Sequence, residues 1–355
     1  KRGETEISGR ILDNIRYWHF DSPNLYTVKL SLQIGDTITD RQSIVFGFRD
    51  IRVRGSQIIL NGEPVRLNGT EWMPGSDPEY GMAESKESLE KMLLCLKESN
   101  SILTRFHWQQ DDMVYDWCDR HGMLVQEEVP FWGADPAVAG EPQWNIFKEQ
   151  IQEMVSAHQN HPSIFAWGVG NELDGQAGET IQYIKKAVAY THRLDSGRLA
   201  NYVSNSIFRD PALDGTAYGD IMMVNDYIGT WHGDLDQEGE WDRIIAANPG
   251  KPVIPSEFGL CEPAFSGGDK RREEIFLKKL NCYRKYPNIA GTVYFCLNDY
   301  RTQMGEDGKG KWKKRVHGST GLKGEAKPSY YAVQREYAPV EVIIQEGGIS
   351  LVCRN

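Results

Sequence analysis

Apolar and polar residues alternate with a period of two in the first part of the chain. Leu25–Leu32 shows this alternation, Gly35–Asp36 can turn the chain, and Ser43–Phe48 continues as a second strand. The pattern is typical of strands that bury one face. It supplies too few strands for a complete β-sandwich, which contains about seven. We therefore expect residues 1–54 to form a partial β domain.

The pattern changes after Gly55, where short apolar runs begin to alternate with longer amphipathic stretches whose apolar residues recur at helical spacing. The predicted helices are Ser85–Glu98, Asp112–His121, Trp144–His158, Thr180–Leu194, Trp241–Ala247 and Arg271–Tyr286. The predicted strands that alternate with them are Val65–Asn68, Ser101–Phe106, Met123–Gln126, Ile164–Val169, Leu199–Ser204, Ile221–Val224, Val253–Pro255 and Gly291–Leu297.

Eight strands separated by helices predict a closed parallel (β/α)8 barrel, the TIM barrel. A doubly wound open sheet is the alternative, but no glycine-rich nucleotide loop follows the first strand. We expect the barrel to occupy residues 55–339. Strand-like runs at Val340–Ile344 and Ile349–Val352 predict that a further β domain starts within residues 340–355, so we expect a sequence cut at both ends.

Charge and composition argue against several classes of protein. The 40 Lys and Arg residues against 50 Asp and Glu residues give a formal net charge of −10, which disfavours nucleic acid or an anionic membrane as a partner. No apolar run reaches the roughly 18 residues of a membrane span. The six cysteines show no CxxC spacing, so we predict no zinc site and no cofactor. The compartment stays open between the cytoplasm and, in a bacterium, the periplasm or the exterior.

Two predicted strands end in a carboxylate, and carboxyl ends of strands form the active face of a TIM barrel. Ile164–Val169 is followed by Asn171 and Glu172, and Val253–Pro255 is followed by Glu257. These are the fourth and seventh strands, which face each other across the barrel mouth. Glycoside hydrolysis with retention of configuration needs two carboxyl groups about 5–5.5 Å apart, one as nucleophile and one as acid/base. The pair therefore predicts a retaining glycosidase.

Several segments, in order along the chain, are similar to glycoside hydrolase family 2, which contains β-galactosidases, β-glucuronidases and β-mannosidases. They are FGFRDIRV (46–53), LNGEPVRLNG (60–69), YDWCDRHGMLVQEEVP (115–130), HPSIFAWGVGNE (161–172), VNDYIGTW (224–231), IPSEFG (254–259) and KPSYYAVQREYAPV (327–340). The resemblance implies an immunoglobulin-like segment before the barrel and exo action on a terminal β-linked sugar. It also implies that Glu172 is the acid/base and Glu257 the nucleophile.

The resemblance also implies binding roles for further residues. These are Asn171 beside the acid/base, Tyr227 as hydrogen-bond partner of the nucleophile, Arg105 and His107 on the second strand, Glu128 at the end of the third, and Phe295, where the family usually has tryptophan. Trp72, Trp132 and Trp231 follow strands and are candidates to stack on sugar rings. The alternatives are a core position for Tyr227, a structural network for Arg105 and His107, and an internal ion pair with arginine for Glu127 and Glu128, which is the favoured interpretation for Glu127. Asp299 either binds a hydroxyl or fixes Arg301.

The expected substrate is a β-galactoside. His317–Gly324 lacks the Asn-x-Lys pair with which β-glucuronidases of the family hold a carboxylate, and the metal-binding pattern of β-galactosidases is not evident, so we predict no metal. A β-mannosidase and a β-glucosidase or glucosaminidase are the alternatives within the family. An alternative from another class is an inactive carbohydrate-binding fragment, because the sugar-binding-like domain that precedes the barrel in the family is missing.

Overall fold

The structure, a computed structural model, describes residues 9, 14–133, 140, 143–345 and 348–353. The parts of the predicted β domains at residues 1–8, 10–13, 346–347 and 354–355 lie outside this range. Among the described residues, seven strands precede the barrel: β1 (Trp18–His19), β2 (Ser22–Pro23), β3 (Tyr26–Ile34), β4 (Thr37–Phe46), β5 (Ile51–Arg54), β6 (Gln57–Leu60) and β7 (Glu63–Val65). They form the antiparallel pairs β1–β2 and β3–β4 and the three-stranded sheet β5–β6–β7.

Eight parallel strands then form the barrel: β8 (Leu67–Glu71), β9 (Leu103–Phe106), β10 (Leu124–Glu128), β11 (Ile164–Asn171), β12 (Leu199–Ser204), β13 (Ile221–Asn225), β14 (Val253–Glu257) and β15 (Gly291–Phe295). Their order follows the sequence, and β15 returns to pair with β8. On its other side, β15 meets β14 through backbone bonds from Ala290 N to Val253 O (2.9 Å) and from Phe295 N to Phe258 O (3.2 Å). The predicted TIM barrel is confirmed.

In the part of the chain that the structure describes, six α-helices alternate with the barrel strands, and a seventh follows them. They are α1 (Lys86–Glu98), α2 (Asp112–His121), α3 (Gln143–His158), α4 (Gly178–Leu194), α5 (Gln237–Ala247), α6 (Gly268–Tyr283) and α7 (Pro328–Tyr337). Their ends follow local chemistry. The Ser85 side chain accepts a hydrogen bond from Ser88 N at the start of α1, and Gly122 ends α2 in the left-handed conformation, with φ 66°.

The strands differ from their predicted limits mainly at their carboxyl ends. The first barrel strand is Leu67–Glu71 rather than Val65–Asn68, and the strand predicted to end at Val169 continues to Asn171. The sequence also gave no signal for the short hairpin β16 (Tyr300–Arg301) and β17 (Lys314–Arg315). A last antiparallel pair, β18 (Val340–Gln345) and β19 (Gly348–Cys353), agrees with the predicted β run after the barrel.

Side chains pack on both sides of the barrel wall. One apolar cluster fills the barrel interior and joins it to the sheet β5–β6–β7, with Ile58 and Leu60 against Leu67 and Leu103. Two further clusters lie between the strands and the surrounding helices. The amino-terminal end of the barrel is therefore occupied by apolar packing, and the polar chemistry is left to the carboxyl ends of the strands. None of the described helices is long and apolar enough to cross a membrane.

Candidate active site

Glu172 and Glu257 both line one cavity of about 600 Å³ at the carboxyl ends of β11 and β14. Glu172 has a φ of 51°, in the left-handed region that disfavours residues with a side chain. Its N–H donates to Val203 O (2.9 Å), so the neighbouring strand holds this conformation. A strained residue at a strand end, with its side chain in a cavity, is typical of a functional site.

Asn225, at the end of β13, connects the two carboxylates. Its Nδ2 donates to Glu172 Oε1 (2.8 Å) and to Asn171 Oδ1 (3.1 Å). Its backbone pairs with Glu257 on β14, and its Oδ1 accepts from the hydroxyl of Ser256 (2.9 Å). The side chain of Glu172 therefore extends across β12 to the strand that adjoins Glu257.

Arg105 lies beneath the cavity and holds three carboxylates. The side chain is fully buried, and its Nη1 donates to Glu257 Oε1 (2.7 Å) and to Glu71 Oε2 (3.2 Å). Its Nη2 donates to Glu128 Oε1 (3.0 Å). Arg105 does not line the cavity itself, so it supports the site from below. This position agrees with the alternative prediction, in which Arg105 belongs to a structural network under the site.

The other oxygen of Glu257 accepts a hydrogen bond from the Tyr227 hydroxyl, at 2.7 Å. Burial and the neighbouring Glu257 raise the pKa of Tyr227 well above its usual value, so this phenol remains a donor. Tyr227 also lines the cavity. Glu257 thus has a donor on each oxygen, Arg105 on one side and Tyr227 on the other.

Burial raises the pKa of Glu257 to about 7. The guanidinium of Arg105 opposes this shift, whereas the carboxylates of Glu172 and Glu71 add to it. The group is therefore poised between its charged and neutral forms near neutral pH.

His107 carries a second positive charge into this region. Burial would lower its pKa, but Glu71 and Glu128 outweigh that effect and raise the pKa to about 10. Its Nε2 lies 2.9 Å from Glu71 Oε1, and its ring lines the cavity. Burial acts to raise the pKa of Glu128, but Arg105 and His107 lower it, so Glu128 is ionised.

The three candidate tryptophans have different positions. Trp132 and Trp231 line the cavity and are about half exposed, and Trp132 Nε1 donates to Glu172 Oε2 (3.0 Å). Trp72 instead lies in the core, 1% exposed, with its ring edge-on to Phe106. Successive residues of a strand point to opposite sides, so Glu71 enters the barrel and Trp72 points to the helices. Trp72 therefore does not reach the cavity.

Two other acidic residues have partners that the sequence did not indicate. Glu127 is fully buried and pairs with His158 Nδ1 (3.0 Å) rather than with an arginine. Asp299 accepts from Lys327 Nζ (2.7 Å) and from Gly318 N (3.0 Å), and no described contact joins it to Arg301. Both are structural. Phe295, by contrast, lines the cavity as expected, and its ring lies edge-on to His317.

The sequence-based prediction missed Glu71 and Asn225, although both end buried barrel strands. It also missed the wall formed by the chain after β15, where Tyr300, Arg315 and His317 line the cavity. Burial and the nearby cations lower the pKa of His317 well below its usual value, so its ring is neutral.

Two groups of three side chains in the described part of the chain have the spacing of metal ligands. The first group is Glu71 with His107 and Glu257. Its two carboxylates are already ion-paired with the guanidinium of Arg105. The second is Asp116 with Asp119 and His161, where His161 Nδ1 lies 2.7 Å from Asp119 Oδ2. Neither supplies an argument for a required metal, and the absence of one stays a prediction.

The sequence matches the TIM barrel domain of glycosyl hydrolases family 2 over residues 51–287, and a second domain of the same family over residues 2–49. A β-galactosidase of Thermoanaerobacterium thermosulfurigenes is 27% identical over 82% of the chain. A β-glucuronidase of Rattus norvegicus is 29% identical over 66% of it. The chain spans only 39% and 37% of these relatives' lengths.

Among solved structures, a family 2 β-galacturonidase from Eisenbergiella tayi, bound to galacturonate, superposes with a TM-score of 0.82. It is 24% identical, and the match covers 91% of this chain and 60% of that one. At this identity the likeness shows the fold. The match to the family's barrel domain extends over more than half of the chain. The chain therefore belongs to glycosyl hydrolases family 2.

Proposed function

We propose that the chain is the catalytic part of a retaining β-glycosidase, with Glu257 as nucleophile and Glu172 as acid/base. The observation that carries this proposal is the unequal environment of two carboxylates in one cavity. Glu257 is held by the cation Arg105 and the phenol Tyr227, whereas Glu172 is held by the neutral donors of Asn225 and Trp132. A double displacement needs this difference, since one group attacks as an anion and the other delivers a proton.

In the first step the Glu257 carboxylate attacks the anomeric carbon. The bonds from Arg105 and Tyr227 favour its charged form and aim the carboxylate into the cavity. The guanidinium of Arg105 opposes the effect of burial on the pKa of Glu257 and so stabilises the charge on this carboxylate.

Glu172 then carries the proton that the leaving oxygen requires. It protonates this oxygen as the bond breaks, and in the second step it removes a proton from the water that releases the sugar from Glu257. Asn225 orients Glu172 through Oε1, and Trp132 lies on the solvent side of Oε2. Asn171, beside Glu172, is placed to contact a sugar hydroxyl, and Trp231 and Phe295 offer apolar ring faces.

We infer exo action on a β-galactoside as the first candidate, supported by the relative named β-galactosidase. A β-uronidase is the second candidate. Arg315 lines the cavity, half-buried, and a guanidinium can hold a sugar carboxylate without the Asn-x-Lys pair. Relatives named β-glucuronidase and β-galacturonidase agree with it. Arg315 Nε already lies 3.2 Å from Glu306 Oε1, which reduces the charge available to a substrate.

The test is hydrolysis of a panel of aryl β-glycosides: galactoside, glucoside, mannoside, glucuronide, galacturonide and N-acetylglucosaminide. Each is assayed beside E257Q. Cleavage of one sugar by the parent protein and not by E257Q supports the proposal and identifies the substrate. Binding of a sugar without any cleavage, also in a longer chain, would instead identify a carbohydrate-binding protein.

A further inference from the structure

A second chamber of about 790 Å³ opens from the catalytic cavity. The two share a boundary of five residues: Met73, Trp108, Tyr300, Arg301 and Thr302. The chamber is formed by the segments that follow β8, β9 and β15. Its volume is within the range of about 300–1,000 Å³ that holds a ligand larger than a few atoms. A group attached to the sugar can therefore extend into it.

The position of the chamber decides which end of the substrate it faces. Glu172 must lie within hydrogen-bond reach of the leaving oxygen, so the leaving group departs on the β11 side of the mouth. In the closed order of eight strands, β15 stands four strands from β11, directly across the barrel. The chamber by β15, β8 and β9 therefore faces the side of the sugar away from the leaving group.

The two compartments differ in charge. Three carboxylates line the catalytic cavity, Glu128, Glu172 and Glu257. The described lining of the chamber contains two cations, Arg301 and Lys313, and no carboxylate.

Both cations are oriented by carbonyl groups, which do not neutralise them. Arg301 Nε donates to Lys311 O (2.5 Å) and its Nη1 to Asp77 O (3.3 Å), while Lys313 Nζ donates to Gln303 O (2.5 Å). Neither cation takes part in any ion pair found among the described residues. In a protein with a net charge of −10, a pocket lined by two cations and no acid favours an anion.

Much of the rest of the chamber wall is apolar. Met73, Met82 and Trp108 line it, and flexible methionines adapt to irregular ligand surfaces. The wall thus matches a group that combines a ring or short chain with a negative charge.

We propose that the chamber is a subsite for an anionic group attached through a hydroxyl of the cleaved sugar, on the side away from the leaving group. This deepens the proposed function and rests on it. The anion is either a sulfate ester on the sugar, which leaves the cleaved sugar terminal as exo action requires, or the carboxylate of an acidic sugar linked to it. In the second case the cleaved sugar is internal and the product released is a disaccharide, so that outcome would replace exo action. Arg301 and Lys313 bind the anion, and Met82 and Trp108 pack against its carrier.

The test compares 4-nitrophenyl β-glycosides that share one leaving group. Galactose is the sugar in each of them, and the sugar that the panel selects replaces galactose if it differs. The probes are the unsubstituted galactoside, its 6-sulfate, and galactosides extended at O6 by glucuronic acid or by glucose. The parent protein is compared with R301M, K313M and K311M. Lys311 is a matched control, because it is an exposed cation of the same segment that does not line the chamber. Isothermal titration of the same probes into E257Q measures affinity without turnover.

We expect the 6-sulfate or the glucuronosyl galactoside to have a higher kcat/KM than its neutral counterpart. The ratio of kcat/KM for the charged probe to kcat/KM for its neutral counterpart should fall about fivefold in R301M or K313M, as expected for partly exposed charge pairs. The same ratio should be unchanged in K311M. Added salt should also reduce this ratio in the parent protein, because it screens the charges. A gain with the sulfate alone identifies an ester, and a gain with the glucuronosyl probe alone identifies an acidic sugar.

Equal ratios in the parent and in both variants would overturn the subsite while leaving the glycosidase intact. If no probe is cleaved, the proposed function fails, and the titrations decide the subsite separately. Tighter binding of an anionic probe that is lost in R301M supports it, and equal affinities for charged and neutral probes overturn it.

Discussion

Two buried charge clusters lie side by side at the carboxyl ends of the barrel strands, and they are built on opposite principles. In the first, three carboxylates, Glu71, Glu128 and Glu257, surround one arginine and one histidine. In the second, the single carboxylate of Asp226 accepts bonds from several donors. These are Lys279 Nζ (2.7 Å), Gln237 Nε2 (2.6 Å), Trp241 Nε1 (2.9 Å) and Tyr283 Oη (2.8 Å).

The difference separates a structural cluster from a chemical one. The Asp226 cluster is balanced, one anion against one cation, and its lone pairs are used within the protein. Burial acts to raise the pKa of Asp226, but Lys279 and the other donors lower it, so the cluster remains in one charge state. The Glu257 cluster has more carboxylates than cations, and burial raises the pKa of Glu257 to about 7. Glu257 is the carboxylate to which the nucleophilic role is proposed.

The largest expected effect comes from removing that carboxylate. E257Q keeps the shape of the side chain but loses the nucleophile, so kcat should fall on the order of 10⁴-fold or more. Steady-state kinetics on the best aryl glycoside measure this. Azide should restore turnover in E257A, where the shortened side chain leaves space for it in place of the missing carboxylate. An E257Q variant that retains near-parental kcat would exclude Glu257 as nucleophile.

Breaking the balanced cluster should instead destabilise the fold. K279M leaves Asp226 charged, buried and without its cation, which costs about 3 kcal/mol or more of the free energy of unfolding. Thermal and urea denaturation followed by circular dichroism measure this loss. K285M, which removes an exposed lysine paired with Glu238, is the matched control and should leave the melting temperature unchanged. Equal melting temperatures for the parent and K279M would show that the cluster does not stabilise the fold.

A substitution of Asn225 tests whether this residue positions the Glu172 carboxylate. N225A removes the bond to Glu172 Oε1, and we expect kcat/KM to fall about 10- to 100-fold for substrates with a poor leaving group. A structural defect would lower kcat/KM for all substrates by the same factor. Poor acid catalysis affects poor leaving groups most, so a series of aryl glycosides with different leaving-group pKa values should give a steeper dependence in N225A. The control S256A keeps the bond to Glu172, and an unchanged slope in N225A would refute the positioning role.

The smallest effect concerns pH. The nucleophile must be charged, so kcat/KM should fall as the pH drops below about 7, the pKa of Glu257. The carboxylate of Glu71 raises that pKa, and E71Q should therefore move the acid limb to lower pH by less than about one unit. E127Q removes a buried carboxylate that pairs with His158 instead, and it should leave the limb in place. A shift to higher pH in E71Q would contradict the electrostatic account.

Much of the site followed from one rule, that polar residues at the ends of apolar strands face the barrel mouth. The rule identified Glu172 and Glu257 because HPSIFAWGVGNE and KPVIPSEFG show a clear apolar run before each carboxylate. Asn225, at the end of IMMVN, obeys the same rule but was not among the predicted site residues, whereas Glu71 ends LNGTE, which has no apolar run, in a strand that was predicted to end three residues too early. An error of a few residues in a predicted strand end can therefore prevent the identification of a site residue.

The remaining parts of the site depend on tertiary structure. The side of the strand on which Trp72 lies depends on where β8 ends, and a shift of one residue reverses it. The wall made by Tyr300, Arg315 and His317 comes from a hairpin whose two strands have two residues each. Such strands are too short to show a period in the sequence. Arg105 was found from the family resemblance, but its three carboxylate partners come from three other strands.

The most direct test of the central claim is to trap the covalent intermediate. The 2,4-dinitrophenyl 2-deoxy-2-fluoro derivative of the sugar selected by the panel is incubated with the parent protein, which is then digested and sequenced by mass spectrometry. The fluorine slows both steps, and the good leaving group restores the first, so a retaining enzyme accumulates the glycosyl ester. We predict one sugar per chain, attached to Glu257 and absent in E257Q. A sugar attached to Glu172 or to any other residue would contradict the assignment.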